Sequence, residues 1–214
     1  MRKDLVKKKF KKPKHEDFPL WEYFDYAELD HCDRLDWLTL KTRTILFNGE
    51  VTEELCDWTS KSLVILGAIS NDPIHIIINT IGGSHFDGLL VIDTIEDLKA
   101  RGIEIITEVR GSAYSMGLDI SIAGSVRVAN KHSRFLLHEV NDSIGDMKNS
   151  NIQEYAKEVN DVNEMLAKRM SSHSNLTLKE VHELMDRKDY FFGAADALKY
   201  GFIDKIRKTK RRKS

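Results

Sequence analysis

The sequence predicts a layered α/β domain. Three observations carry that reading. The run Ile74-His75-Ile76-Ile77-Ile78-Asn79 is too continuously apolar for a strand with one wet face, which points to a sheet covered on both sides. Strand-like and helix-like segments alternate repeatedly between Arg43 and Asp204. Helix starts are marked by Thr52 and by the capping-box patterns Ser150-Asn151-Ile152-Gln153 and Thr177-Leu178-Lys179-Glu180. With 214 residues the chain fits one ordinary domain and can bury about 70% of the surface its unfolded form exposes.

Taken in order, residues 1–40 show no clear period and read as a basic N-terminal extension, with an aromatic and acidic cluster from Phe18 to Tyr26. Arg43 to Phe47 reads as a short strand closed by the turn pair Asn48-Gly49. The helix after Thr52 places Leu55, Trp58, Ser62, Leu66 and Ile69 at three- and four-residue spacing and is expected to end near Gly67. After the apolar run comes Thr80-Ile81-Gly82-Gly83-Ser84, whose paired glycines let the backbone turn and approach a ligand closely. His75 within the run reads as a core or edge histidine.

A helix over about Phe86 to Arg101 returns the chain to a strand at Ile103 to Val109, and short strands follow at Ser125–Val128 and Arg134–His138. The stripe Ile152, Tyr155, Ala156, Val159, Val162, Met165, Leu166 and Met170 marks the longest helix, about 22 residues or roughly 33 Å. A helix of that length can project from a small domain and lay part of its apolar stripe on another subunit. Another helix opens at Thr177, and Asp189 precedes the aromatic run Tyr190-Phe191-Phe192. A last short helix ends on Gly201 as C-cap. The expected body is 41–204, followed by a basic tail at 205–214.

The formal charge of −1 hides an asymmetry. Residues 1–14 hold eight Lys/Arg and one Asp, and residues 205–214 hold seven and none, so residues 15–204 retain 18 bases and 33 acids, a net charge of −15. Such basic tails read as solvated segments or protein contacts, and no motif or aromatic platform for specific nucleic-acid binding accompanies them. No segment approaches 18 uninterrupted apolar residues, and the N-terminus lacks the apolar core of a signal peptide, so no membrane partner is expected. Two unpatterned cysteines, Cys32 and Cys56, suggest neither a disulfide framework nor a zinc site and suit a reducing, cytoplasmic location.

The chemistry centres on Gly111-Ser112-Ala113-Tyr114-Ser115-Met116-Gly117, read as strand, tight turn and helix with Ser115 at the turn. A serine there has free backbone N–H groups beside its hydroxyl, as an acyl-transfer nucleophile needs, and the Met116 N–H is placed to stabilise an oxyanion. The plainer reading is a helix-capping serine in a Gly-rich turn. A hydrolase also needs a base and a carboxylate to orient it. His138 at a strand end and Asp189 before the aromatic run are candidates, with Glu139, Asp142, Asp186 and Asp196 as competing carboxylates that periodicity does not separate.

Four ordered motifs now resemble one family, the proteolytic subunit of the Clp protease, a self-compartmentalising serine peptidase. They are Ile78 to Gly83 followed by Gly88 and Asp93-Thr94; Gly111 to Gly117; Arg134 to His138; and Asp189 to Asp204. The resemblance implies Ser115 as nucleophile, His138 as general base, Asp189 as the group orienting it, and the N–H groups of Gly83 and Met116 as oxyanion hole. It implies the spiral of β-β-α units shared with crotonases, with a long protruding helix, assembled as homo-oligomeric stacked rings. Substrates would be peptides or unfolded proteins. No metal or organic cofactor would be needed, and ATP would be used only by a partner unfoldase.

The chain also departs from the family pattern. Ile81 stands where the family has proline, Glu139-Val140 where it has Gln-Pro, and Asn141 to Met147 replaces a Gly-rich substrate-lining segment. Two other readings compete. A crotonase-type acyl-CoA enzyme shares the fold but needs no Ser115, His138 and Asp189 set; a non-catalytic ring subunit has no physical need for all three. Hydrolysis of a small peptide separates the readings.

Overall fold

A computed structural model describes residues 31–140, 148–186 and 189–208. The aromatic cluster at 18–26, the segment 141–147 and residues 209–214 of the basic tail lie outside that set. Contacts divide the chain into two units, Met1–Thr42 and Arg43–Ser214. In the first, α1 (His31–Thr42) is a helix where the sequence shows no clear period. Its apolar positions Leu35 and Leu38 are 41% and 37% exposed among charged neighbours, so no continuous stripe marks it. Lys41 Nζ sits 4.4 Å from the centre of the Trp37 ring within this helix.

The second unit is the expected mixed α/β body, and most of its strands run parallel. Strands β1 (Thr44–Asn48), β2 (Ile74–Thr80), β3 (Ile105–Tyr114), β4 (Val126–Ala129) and β7 (Lys205–Ile206) lie side by side in the order β1-β2-β3-β4-β7. Strand β5 (Arg134–Leu137) pairs with β3 in parallel and with β6 (Tyr190–Gly193) antiparallel. On β2, Ile74, Ile76 and Ile78 are fully buried, whereas His75 and Ile77 are half-buried and Asn79 is exposed. The second face of the sheet is therefore only partly covered by this chain, which corrects the expectation of full cover on both sides.

Strand β3 runs well past Val109, where the sequence suggests an ending. Its first half pairs with β4 through Ile106↔Val126 to Val109↔Ala129, and its last three residues pair with β5 through Ser112↔Arg134 to Tyr114↔Leu136. Gly111 stands at the change of partner with φ +105°, a conformation that suits a residue without Cβ. The Asn79 carboxamide oxygen accepts the Ser112 backbone N–H beside it at 3.1 Å. The glycine that reads as a turn is thus a bend inside a strand.

Helix α2 (Glu53–Ile69) starts on Thr52, whose hydroxyl accepts the Leu55 N–H, and runs past Gly67 to a cap at Ser70. Helix α3 (His85–Ala100) starts on Ser84, α4 (Met116–Ser121) follows Ser115, and α6 (Leu178–Met185) carries the expected capping box from Thr177 and Glu180. Helix α7 (Ala194–Tyr200) ends on Gly201 at φ +79°. The longest helix, α5 (Asn149–Ser172), has 24 residues and begins with Lys148, not Ser150, at the cap position.

Two expectations about packing change here. Val162, Leu166 and Met170 of the α5 stripe are 6%, 4% and 2% exposed, covered by their own chain, whereas Ile152, Tyr155 and Val159 are half-buried and Ala156 and Met165 are exposed. The first part of the expected basic tail also belongs to the body. β7 pairs with β4, and Arg207 donates to the buried Glu108 carboxylate, which also accepts from Arg110. His75, 3.0 Å from the same carboxylate, belongs to this cluster.

Candidate active site

Sheet register brings Ser115, His138 and Asp189 to one end of three neighbouring strands. β3 and β5 are parallel with Tyr114 opposite Leu136, and the Ser115 N–H donates to the Leu136 carbonyl at 3.0 Å, so Ser115 and His138 leave their strands side by side. β5 and β6 are antiparallel with Leu137 opposite Tyr190, and one further step sets His138 opposite Asp189. Phe135 stacks on Phe192 with ring centres 5.4 Å apart, which fixes that register through buried aromatic area. His138 Nδ1 lies 3.6 Å from Asp189 Oδ1. This is longer than a hydrogen bond, and contacts of this kind in ligand-free sites commonly tighten when substrate binds.

The same register separates Asp189 from its competitors. Asp186 is the C-cap of α6, Asp196 is exposed on α7, and Asp142 lies outside the described residues. Glu139 is exposed and lines a neighbouring open cleft together with Asn163, His182, Glu183 and Asp186. It does not line the pocket that holds Ser115.

Ser115 has φ +53° and ψ −125°, and among the described residues only Arg43 is another non-glycine residue with positive φ. A left-handed conformation at a residue with a Cβ costs roughly 1–3 kcal/mol and persists where the surroundings impose it. Ser115 occupies the N-cap position of α4, yet its side chain makes no capping hydrogen bond. The plainer sequence reading, a capping serine, is therefore not what the hydroxyl does. The cap is strained and its oxygen is left available.

Gly82 and Gly83 fold against this turn. A Cβ at Gly82, whose φ is +90°, would come within 2.7 Å of the Tyr114 carbonyl and 2.8 Å of Ser115 Cβ. Gly83, at φ +147°, has its backbone against Val51, to which it forms an isolated parallel bridge. Ile81, at the place of the family's proline, is 67% exposed, so the turn is held by the Val51 N–H donating to the Gly82 carbonyl at 2.8 Å and by the Gly82 N–H donating to Thr80 Oγ1 at 3.0 Å. Met116, the first residue of α4, keeps a backbone N–H that geometry denies an intrahelical acceptor.

Ser115, Met116, His138 and Gly83 border one small pocket of about 50 Å³. His138 is 19% exposed, and its Nε2 is buried with no partner among the described residues. This nitrogen lies on the ring side away from Asp189, and His138 lines the same pocket as Ser115. The pocket also contains residues that the sequence does not assign to the site: His85 at the start of α3, Asp119 on α4, Leu166 and Met170 on α5, and Met185 on α6. The α5 stripe was legible as apolar, but its place against the serine is a tertiary fact. Asp119 sits inside an apolar segment and gave no periodic signal.

The family model described as Clp protease matches residues 29–210. The chain is 34% identical over 178 residues to the ATP-dependent Clp protease proteolytic subunit 3 of Synechococcus sp. (strain CC9605), covering 79% of this chain and 87% of that protein. It is 33% identical over 181 residues to proteolytic subunit 2 of Prochlorococcus marinus (strain NATL2A), with the same coverage of 79% and 87%. It is 32% identical over 171 residues to the proteolytic subunit of Streptococcus mutans serotype c, covering 78% and 85%.

Proposed function

The chain belongs to the Clp protease family, and from that premise we propose that it is a serine endopeptidase, the proteolytic subunit of a Clp-type compartmentalised protease. The observation that carries the proposal is the register that sets Ser115 beside His138 and His138 opposite Asp189. In this reading Ser115 Oγ attacks the scissile carbonyl carbon while its proton passes to His138 Nε2. The imidazolium is oriented and stabilised through Nδ1 by Asp189. The negative charge that develops on the carbonyl oxygen is met by the N–H groups of Gly83 and Met116.

Collapse of that intermediate breaks the C–N bond, and His138 returns the proton to the leaving amine. Water then attacks the acyl-enzyme with His138 again as base, the bond from carbonyl carbon to Oγ breaks, and Ser115 recovers its proton. Every proton moves between groups of this chain, substrate and water. The crotonase reading is not favoured, because acyl-CoA chemistry leaves the paired His138 and Asp189 without a task.

Substrates are peptides or unfolded proteins, and we assign ATP use to a partner unfoldase on the strength of the relatives' names. Homo-oligomeric stacked rings are the proposed assembly. No helix among the described residues is long and apolar enough to cross a membrane. The test is hydrolysis of a fluorogenic peptide together with labelling by a serine-directed fluorophosphonate. The wild-type protein is expected to do both, and Ser115→Ala to lose the label and roughly 10⁴–10⁶ of the rate. Labelling that survives Ser115→Ala would remove the nucleophile assignment.

A further inference from the structure

The pocket beside Ser115 is walled by Met116, Leu137, Val140, Leu166, Met170 and Met185, with His85 and His138 among its polar side chains, and the Nε2 atoms of both histidines are buried without a partner among the described residues. Into this enclosure Asp119 brings a carboxylate that is 2% exposed, with Oδ1 buried and without a hydrogen-bond partner among the described residues. A buried, unsatisfied carboxylate oxygen costs stability, so its presence at the side-chain pocket of a hydrolase calls for a ligand that satisfies it. Burial pushes its pKa up to about 7, against the opposing pull of the Arg169 charge. Arg169 does not satisfy Oδ1: its terminal nitrogens both donate to Glu96 Oε1 at 3.3 Å, and its Nε is itself buried without a partner among the described residues.

Arg169, paired with Glu96, is the cation nearest Asp119, and the carboxylates around the pocket favour a positive ligand despite it. The cleft of about 540 Å³ that shares Met185 with this pocket is lined by the carboxylates Glu139, Glu183 and Asp186, against Lys179 and His182. His182 is itself 3.0 Å from Glu164. Residues 15–204 carry a net charge of −15, so a cationic peptide is also drawn toward the body from a distance. A pocket of about 50 Å³ is narrow, which favours an unbranched chain over a ring. Methionines at 116, 170 and 185 are flexible walls that can yield along a methylene stem.

We propose that Asp119 sets the side-chain preference of this site, which takes lysine on the carbonyl side of the cleaved bond: the four methylenes lie between the methionines and the ammonium donates to Asp119 Oδ1. This deepens the peptidase reading and rests on it for the word "cleaved", but side-chain preference is measurable as binding without any hydrolysis.

The probes are two unstructured hexapeptides that differ only in a C-terminal lysine or leucine, titrated at pH 8 against full-length Ser115→Ala protein by fluorescence anisotropy. The lysine peptide is expected to bind at least about tenfold more tightly. Asp119→Leu in the same background should abolish or reverse the difference. Equal binding, tighter binding of the leucine peptide, or binding of neither overturns the proposal, as does a lysine preference that survives Asp119→Leu. Should Asp119→Leu not fold, the comparison in the Ser115→Ala background decides alone. A lysine preference in a protein that neither hydrolyses peptides nor takes a fluorophosphonate would sink the peptidase reading and leave Asp119's role standing.

Discussion

His138 and Asp189 occupy opposed positions across β5 and β6, one step beyond the pair Leu137↔Tyr190, with Nδ1 3.6 Å from Oδ1. The carboxylate is 62% exposed while the imidazole is 19% exposed, so this contact lies at the edge of the pocket. If Asp189 holds the histidine tautomer, Asp189→Asn lowers kcat by roughly 10⁴. Asp186→Asn, three residues away at the cap of α6, should change it less than about twofold, since a carboxylate fixes the tautomer only by touching the imidazole. Peptide hydrolysis by the two purified variants checks the ranking, and the reverse order would move the role to Asp186.

Backbone strain at Ser115 is separable from its chemistry. Glycine accepts φ +53° without a Cβ penalty, whereas alanine keeps the Cβ. Ser115→Gly is expected to be more stable than Ser115→Ala by about 1 kcal/mol, with both inactive. Chemical denaturation of the two variants measures the difference, and equal stabilities would mean the turn is unstrained.

Asp119 ties stability to pH. Its pKa of about 7 in the folded protein lies above the unfolded value of 3.8, so between those values the folded state binds more protons. Stability from this group therefore falls as pH rises from about 4 to 7 and stays low above. Arg169 faces the group from α5, and the pocket adds His85 from α3 and His138 from the end of β5. Asp119→Leu should remove the slope and stabilise the protein at pH 8 by on the order of 4 kcal/mol, from about 1.36 kcal/mol per pKa unit, with little gain near pH 4. Urea unfolding at the two pH values tests it, and a variant less stable than wild type at pH 8 contradicts it.

The start of the basic C-terminal segment is structural. Ending the chain at Asp204 removes β7 and the Arg207 contact to Glu108, whereas ending it at Lys208 keeps both. Glu108 is 3% exposed on its side chain, and burial raises its pKa while Arg110 and Arg207 more than offset this, holding it below the usual value. The shorter chain should lose about 1–3 kcal/mol relative to the longer one. Thermal unfolding of both shows whether they differ.

The α5 stripe splits into two halves with different expected phenotypes. Val162 is 6% exposed within its own chain, so Val162→Glu buries a charge and should destabilise the fold by about 3 kcal/mol or more. Val159, half-buried one turn earlier, is where a subunit contact would show. Val159→Glu is expected to leave the fold intact and divide the proposed stacked rings into smaller particles. Analytical ultracentrifugation alongside circular dichroism separates the outcomes, and an unchanged particle would place the contact elsewhere.

Local signals in the sequence were enough for much of this molecule. Apolar Ile74 to Ile78, the caps at Thr52 and Thr177 and the C-cap at Gly201 each act within a few residues of chain, so the elements they define were legible. The short segments around Ser115, His138 and Asp189 were legible too, as motifs whose order resembles one family. What local signals do not encode is pairing across distance. Periodicity does not rank Asp189 above Asp186, whereas the β5–β6 register sets Asp189 opposite His138, and only the change of partner at Gly111 shows that β3 continues to Tyr114. The strain at Ser115 comes from Gly82 packed beneath it and Leu136 beside it, 33 and 21 residues away in sequence. Asp119 reads as an irregularity in an apolar stretch until α5 and α6 close over it, because a carboxylate's character depends on which surfaces remove it from water.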